Sequence, residues 1–286
     1  RGRRLMRRQQ RQKLAFLLVS VVAWAVTIPI VLVIGLIAWR GLAGLNWAFL
    51  TEMPREGMTE GGILPALIGT VWLTLGTAVV AMPLAIGAAV YLAEYARPGP
   101  LTSAIRLAIV NLAGIPSIVY GLFGLGLFVL FLGLGTSIAA GALTLGLMTL
   151  PVVISTAEEA IRAVPREFRV TSLSLGASRW QTIRHQVLPH ALPGILTGVI
   201  LGLSRAAGET APILFTAAAY YLPSLPSSPA DPTMALPYHL YVIATQVPNM
   251  PLGPQFATAL TLMLLVLSLT VVASMVRSSY RRRREW

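Results

Sequence analysis

Residues 163–212 decide the fold: AVPREFRVTSLSLGASRWQTIRHQVLPHALPGILTGVILGLSRAAGETAP. The first half is polar and carries Arg166, Arg169, Arg179 and Arg184. From Leu188 to Pro212 the stretch is apolar, and its only charged residues are Arg205 and Glu209. A water-compatible element thus feeds straight into a segment of bilayer-spanning length that holds one pair of opposite charges. That arrangement points to a transport subunit: a docking element outside the bilayer, rigidly joined to a polar point inside it.

The rest of the chain agrees that the solvent is lipid. Of 286 residues, 56% are hydrophobic and only 11% are charged, with a mean hydropathy of +0.74. A soluble domain carries about 25% charged residues. Residues 14–39 are uncharged for 26 positions and residues 107–157 for 51, beyond the roughly 18 that mark a membrane span. The net charge of +12 is distributed in blocks, seven basic residues in the first thirteen, five from Arg162 to Arg184 and five from Arg277 to Arg284. Basic blocks at alternate connections follow the positive-inside pattern and argue against a nucleic-acid groove. The basic ends are suited to anionic lipid headgroups. With no cysteine, disulfides, thiolate metal sites and a cysteine nucleophile are excluded. Lys13 is the single lysine and no G-x4-G-K-[ST] precedes it, so no P-loop is present. No cofactor, metal or hydrolase constellation is legible.

Six spans are expected, at 14–39, 63–93, 106–132, 138–157, 188–218 and 256–276. Both termini then lie in the cytoplasm, and the fold class is an all-α integral membrane bundle. The chain opens on arginine and reads as trimmed; its first apolar run exceeds a signal-peptide core and reads as a retained span. Residues 1–13 and 277–286 form basic tails around a permease domain at 14–276. Residues 163–188 are the cytoplasmic loop. Residues 219–255 hold eight prolines, Asp231 and no basic residue, which marks an external loop. Within it, MALPYHLYVIATQ reads as a short amphipathic helix along the outer interface. Pro29 is an expected kink. The Pro116–Ser117 break in the third span either lets helices pack closely or frees backbone groups to line a pathway.

Residues 164–188 read as two short helices around Gly176, which suits a left-handed C′ position. Pro165 suits the first helical position, and Ser178-x-x-Gln181 is a capping box. Ile161, Val164, Phe168, Ser172 and Leu175 share one helical stripe, with the arginines mainly elsewhere. A DNA-reading helix-turn-helix conflicts with the flanking spans. A solvated loop and a partner-docking element remain, and Trp180 and Phe168 among arginines have hot-spot composition that favours docking.

The spacing Gly176, nine residues, x-x-Leu188-Pro189 resembles the EAA loop of ABC importer permeases, EAA-x3-G-x9-I-x-L-P. Val170 stands at the family's glutamate position and Gln186 at its isoleucine position, and Glu167 lies one turn before the former. GGILPALIGT (61–70), IPSIVYGL (115–122) and SRAAGETAP (204–212) resemble the permeases of phosphate ABC importers. The long Pro-rich loop resembles their PstA type more than the PstC type. The resemblance covers the chain from about residue 14 and implies a type I importer permease. It also implies a second, PstC-like permease, two PstB-like ATPase subunits and an extracytoplasmic phosphate-binding protein. By the same resemblance Arg166, Phe168, Gly176, Arg179 and Trp180 belong to the element that couples to the ATPase.

Arg205 is notable without any family. A lone arginine inside a span costs roughly 2.5–3.5 kcal/mol on insertion scales. Glu209, four residues on, shares its face and offsets the charge. One reading is a structural ion pair. The other is an anion pathway, in which the planar fork of Arg205 meets a tetrahedral oxyanion such as phosphate and Glu209 restrains the fork. Import of another solute (sulfate, molybdate or an amino acid) and a membrane scaffold or sensor are the alternative functions.

Overall fold

A computed structural model describes residues 2–282. Within hydrocarbon every backbone N–H and C=O has to be satisfied inside its own segment, so the apolar runs become helices. Helix α1 is Gly2–Gly44, followed by the short α2, Trp47–Thr51. Strands β1 (Pro54–Arg55) and β2 (Glu60–Gly61) form a two-residue antiparallel hairpin, so the helical bundle carries one small sheet. Helix α3 is Leu64–Val90, extended by a π turn over Tyr91–Tyr95. Helices α4 (Pro100–Ala113), α5 (Ser117–Gly124, extended through Leu125–Phe131) and α6 (Ile138–Arg162) follow. Then come α7 (Arg166–Ser174), α8 (Arg179–Thr182), a π turn over Ile183–Val187, and α9 (Leu188–Gly208). Helices α10 (Ala211–Thr216), α11 (Leu236–Thr245) and α12 (Leu252–Arg282) complete the described residues.

Among the described residues, five segments are long and apolar enough to cross a membrane: Phe16–Gly44, Leu64–Tyr95, Ile138–Arg162, Arg179–Gly208 and Leu252–Tyr280. The expected third span differs from a simple rod. It is a pair, α4 and α5, bent by 104° across residues 114–116, and it makes a sixth span if counted as one. The cause is local: Pro116 has no N–H, and its ring keeps Ile115 out of the α region. The Tyr120 hydroxyl donates to the Leu112 carbonyl at 2.8 Å, closing the inside of the bend. An apolar cavity of about 680 Å³ lies between this bend and α3 and α6.

Helix α6 is the centre of the bundle, packed against α3, α9, α5 and α10, while α1 lies outside against α12. Its start is fixed by Ser137, whose hydroxyl accepts from the Ala140 N–H at 3.2 Å. The basic segment ahead of the first span is helical and continuous with α1, which also runs through Pro29. The basic tail continues α12 as far as Arg282, and residues 283–286 lie outside the described residues.

Two further expectations are corrected. Span five does not run to 218 as one helix: it stops at Gly208, Glu209 is extended (φ −77°, ψ 133°), and α10 starts at Ala211. Pro212 at the second position of α10 explains the restart, because its missing N–H costs nothing there. Helix α11 does not turn its apolar face outward. Leu236, Val242, Ile243 and His239 are buried, and α11 packs on α12, α3 and α9. Its apolar face is covered by protein while Tyr241, Ala244 and Thr245 on the other side are exposed, which the short amphipathic pattern did not convey.

Candidate functional site

Three of the motifs meet at one place. Gly121 of IPSIVYGL lies so close to α10 that a Cβ on it would sit 2.9 Å from the Ala211 carbonyl oxygen and 3.1 Å from the Pro212 Cα. Only glycine permits that approach. Thr70, closing GGILPALIGT, accepts the Leu236 N–H at 2.8 Å and donates to the Ala66 carbonyl at 2.7 Å. The GETAP break is therefore gripped by α5 on one side, and the chain that leads back into α11 is pinned by α3.

On this frame Arg205 occupies the last turn of α9, and its Nε donates to Glu209 Oε1 at 3.0 Å. The pairing expected from the four-residue spacing is present, although Glu209 stands one residue beyond the helix rather than within it. Glu209 is 17% exposed and lines a small crevice with Thr70, Thr74, Ala206 and Ile213, whereas Arg205 is 46% exposed on this chain. Tyr120 of α5 lies within electrostatic reach of the guanidinium. Among the described residues only Nε of Arg205 has an acceptor, so both terminal NH2 groups are left to donate outward. Chemically this is a fork anchored at its base and open at its tip, suited to a small oxyanion held briefly.

The coupling stretch folds as two helices about Gly176, whose φ of +85° is the left-handed value that favours glycine. Ser178 caps α8: its Oγ accepts the Gln181 N–H at 3.3 Å, and Gln181 Oε1 accepts the Ser178 N–H at 2.7 Å. Pro165 takes the N-cap rather than the first helical position. The single stripe is divided. Ile161 and Val164 precede the turn and are buried, whereas Leu175 is 83% exposed at the far end.

Four of the five residues assigned to coupling fall into two sets. Trp180 and Arg166 are exposed, alongside exposed Val170 and Leu173. Phe168 instead packs inward, its ring 4.6 Å from that of His190 at the base of α9 and against the Ile183–Ile195 core. Arg179 is turned to the end of α3, where it donates to the Glu94 carbonyl and lies 4.8 Å over the Tyr95 ring. Gly176 supplies the turn alone.

Sequence reasoning missed Glu94 and Glu158. Arg169 Nη2 meets Glu94 Oε1 at 2.6 Å, and the same guanidinium donates to the Val164 and Ile161 carbonyls at 2.7 and 2.8 Å. Glu158 is shared by Arg106 (3.0 Å) and Arg162 (2.8 Å). The available signal was position: each glutamate closes a long uncharged stretch, and partners lie 75 and 52 residues away. His239 was missed too. It is buried on α11, its Nδ1 and the neighbouring Thr258 Oγ1 lack partners among the described residues, and burial pushes its pKa down to about 4. In the loop before α11, the Ser227 and Ser228 N–H groups and the Ser227 hydroxyl hold the Asp231 carboxyl below its usual value.

A multi-pass helical bundle, an exposed two-helix element welded to a span, and a charged break at that span's end define a membrane transport subunit. The chain belongs to the family of binding-protein-dependent transport system inner membrane components, whose model matches residues 81–283. It is similar to "Phosphate transport system permease protein PstA 1" of Mycobacterium tuberculosis (strain CDC 1551 / Oshkosh), 37% identical over 262 residues, 90% of this chain and 85% of the relative. It is also similar to "Probable ABC transporter permease protein YqgI" of Bacillus subtilis (strain 168), 40% identical over 178 residues, 62% of this chain and 60% of that one. Among solved structures, the inward-facing MetNI methionine ABC transporter matches with a TM-score of 0.58 at 17% identity, covering 77% of this chain and 94% of that chain. A bacterial alginate ABC transporter, in complex with its alginate pentasaccharide-bound periplasmic protein, matches at 0.57 and 15% identity over 92% and 94%. The fold is that of type I ABC importer permeases.

Proposed function

We propose that this chain is a PstA-type permease subunit of an ATP-driven phosphate importer, providing half of the membrane pathway. The observation that carries the reading is the Arg205 fork, anchored by Glu209 at the α9–α10 break with its terminal donors uncommitted. Relatives named as phosphate transport permeases, similar over 90% of the chain, support the choice of anion. The exposed face of Arg205 would meet the second, PstC-like permease, so the pathway runs between two chains. Half-exposure of an intramembrane arginine on an isolated subunit is what such a seam requires.

In this reading both termini and α7–α8 are cytoplasmic, and an extracytoplasmic phosphate-binding protein delivers the anion from the other side. Two PstB-like ATPase subunits hydrolyse ATP, and one of them takes up the face carrying Val170, Leu173 and Trp180. The Phe168–His190 contact would pass its movement to α9, because α8 continues through Ile183–Val187 into α9 without a break. Arg205 then moves with the far end of the same rod. Glu209 competes with the anion for the guanidinium, which keeps binding weak enough for release.

The test is uptake by the purified complex in proteoliposomes with the binding protein and internal ATP. Radiolabelled phosphate accumulates, while sulfate, molybdate and amino acids supplied with the same assembly do not. Equal accumulation of another solute, or co-purification of the chain without an ATPase subunit, contradicts the reading.

A further inference from the structure

The end of the bundle that carries α7 and α8 holds a second basic site, separate from Arg205. A cavity of about 680 Å³ is lined by Glu94, Arg162, Val164, Arg166, Arg169 and Arg179. Four arginines face one carboxylate there, and they are not equally occupied. Arg169 is consumed by Glu94 and two main-chain carbonyls. Arg162 divides Nη2 between Glu158 and the Leu92 carbonyl. Arg179 has a carbonyl and the Tyr95 ring but no carboxylate. Arg166, in the first turn of α7, has neither a hydrogen bond nor an ion pair among the described residues. Two guanidinium groups therefore line the cavity with no carboxylate partner among the described residues. An anion between them would supply the missing counter-charge.

We propose that this cavity binds a phosphate-bearing anion, with Arg166 and Arg179 as its principal donors and Arg162 at its edge. Planar guanidinium forks match phosphate oxygens bidentately, and both have donors to spare. Glu94 lines the cavity too, with its Oε1 held by the Arg169 guanidinium. Depth decides the class of occupant. Glu94 lies in the last turn of the span Leu64–Tyr95, and Arg162 closes the span Ile138–Arg162. The cavity therefore sits where spans leave the bilayer, at the level of lipid headgroups, and basic pockets between helices at that level take anionic headgroups. An inorganic phosphate ion offers the same oxygens. Either source would tie α7, α8 and the end of α3 together through one ligand, at the root of the element proposed to move.

The experiment uses the full chain in its assembled complex, in an Arg205→Gln background so that the pathway fork contributes nothing. Phosphatidylglycerol, with phosphatidylcholine as the zwitterionic reference, is titrated by native mass spectrometry. Radiolabelled inorganic phosphate is titrated in parallel by equilibrium binding. Arg166→Gln/Arg179→Gln is expected to weaken the bound probe by about tenfold or more, the loss of charge-assisted hydrogen bonds. Arg184→Gln, outside the cavity, leaves it unchanged. Arg166→Gln alone removes an exposed side chain with no partner in the chain, so the fold is not at stake, and a several-fold loss is expected. Selective retention of phosphatidylglycerol assigns a lipid headgroup, and saturable binding of inorganic phosphate assigns the free ion. Binding of neither probe by the parent, or equal binding by the parent and both variants, overturns the proposal. If the variant binds the anion here but the complex with Arg205 intact carries no phosphate, the transport reading alone is contradicted.

Discussion

Arg169 and Arg205 each hold a glutamate within 3.0 Å, yet the two pairs are built for opposite purposes. Arg169 is 19% exposed and Glu94 10%, and the guanidinium spends its donors on that carboxylate and on the carbonyls that end α6. Nothing is left over for a ligand. Arg205 is more than twice as exposed, uses Nε alone, and leaves its tip open beside a helix break. Saturation, not the presence of an ion pair, separates the arginine that locks the bundle from the arginine that is free to bind. His239 sharpens the rule from the other side: its Nδ1 is unsaturated but enclosed, with about 10 Å³ beside it. Open donors matter only where a solute can reach them.

The largest effect expected from this contrast is at Arg169. Arg169→Ala strands Glu94 in a nearly buried position, and removing one partner of a buried pair costs about 3–5 kcal/mol. Thermal unfolding of the purified complex should fall sharply, and Glu94→Gln added to Arg169→Gln should recover part of the loss. No recovery in the double variant, or no loss at all in the single one, would mean the pair is not the clamp described.

His239 gives the next effect, through pH. Its folded pKa of about 4 lies below the ordinary 6.5, so the unfolded chain binds a proton that the folded one refuses. Stability is complete above about pH 6.5 and is lost as pH falls toward 4, by about 1.4 kcal/mol per pH unit. Replacing His239 with Gln should flatten that part of the stability–pH curve. An unchanged slope would place the proton uptake elsewhere.

A smaller effect is expected at the α8 cap. Ser178→Ala removes one half of the capping box and costs about 1 kcal/mol, confined to α8. Hydrogen exchange should quicken at Arg179–Thr182 while α6 stays protected. Faster exchange throughout the bundle would show that the docking element is not an independent local unit.

How much of this was legible in the sequence depended on distance along the chain. The Arg205–Glu209 pair, the capping box and the left-handed Gly176 all followed from spacings of four residues or fewer, because helix geometry fixes such neighbours. The spans followed from uncharged length. The Arg169–Glu94 and Arg106–Glu158 pairs did not, since tertiary packing alone joins positions 75 and 52 residues apart. The break at Glu209 was hidden by an apolar run that continues past it; the restart is written only in Pro212. Burial of α11 was hidden for a related reason. A short helix with polar tips reads as interfacial, and only the packing of α3, α9 and α12 against it shows that its apolar face is covered by protein.

The contrast is tested most directly at its smallest stability effect and largest functional one. A half-exposed ion pair contributes about 0–1 kcal/mol, so Arg205→Gln should leave the complex as stable as the parent. In proteoliposomes containing the whole complex, the account predicts that this variant keeps its ATPase activity with binding protein present and loses phosphate uptake. Undiminished uptake by Arg205→Gln, or a loss of uptake explained by unfolding or by a dead ATPase, would contradict it.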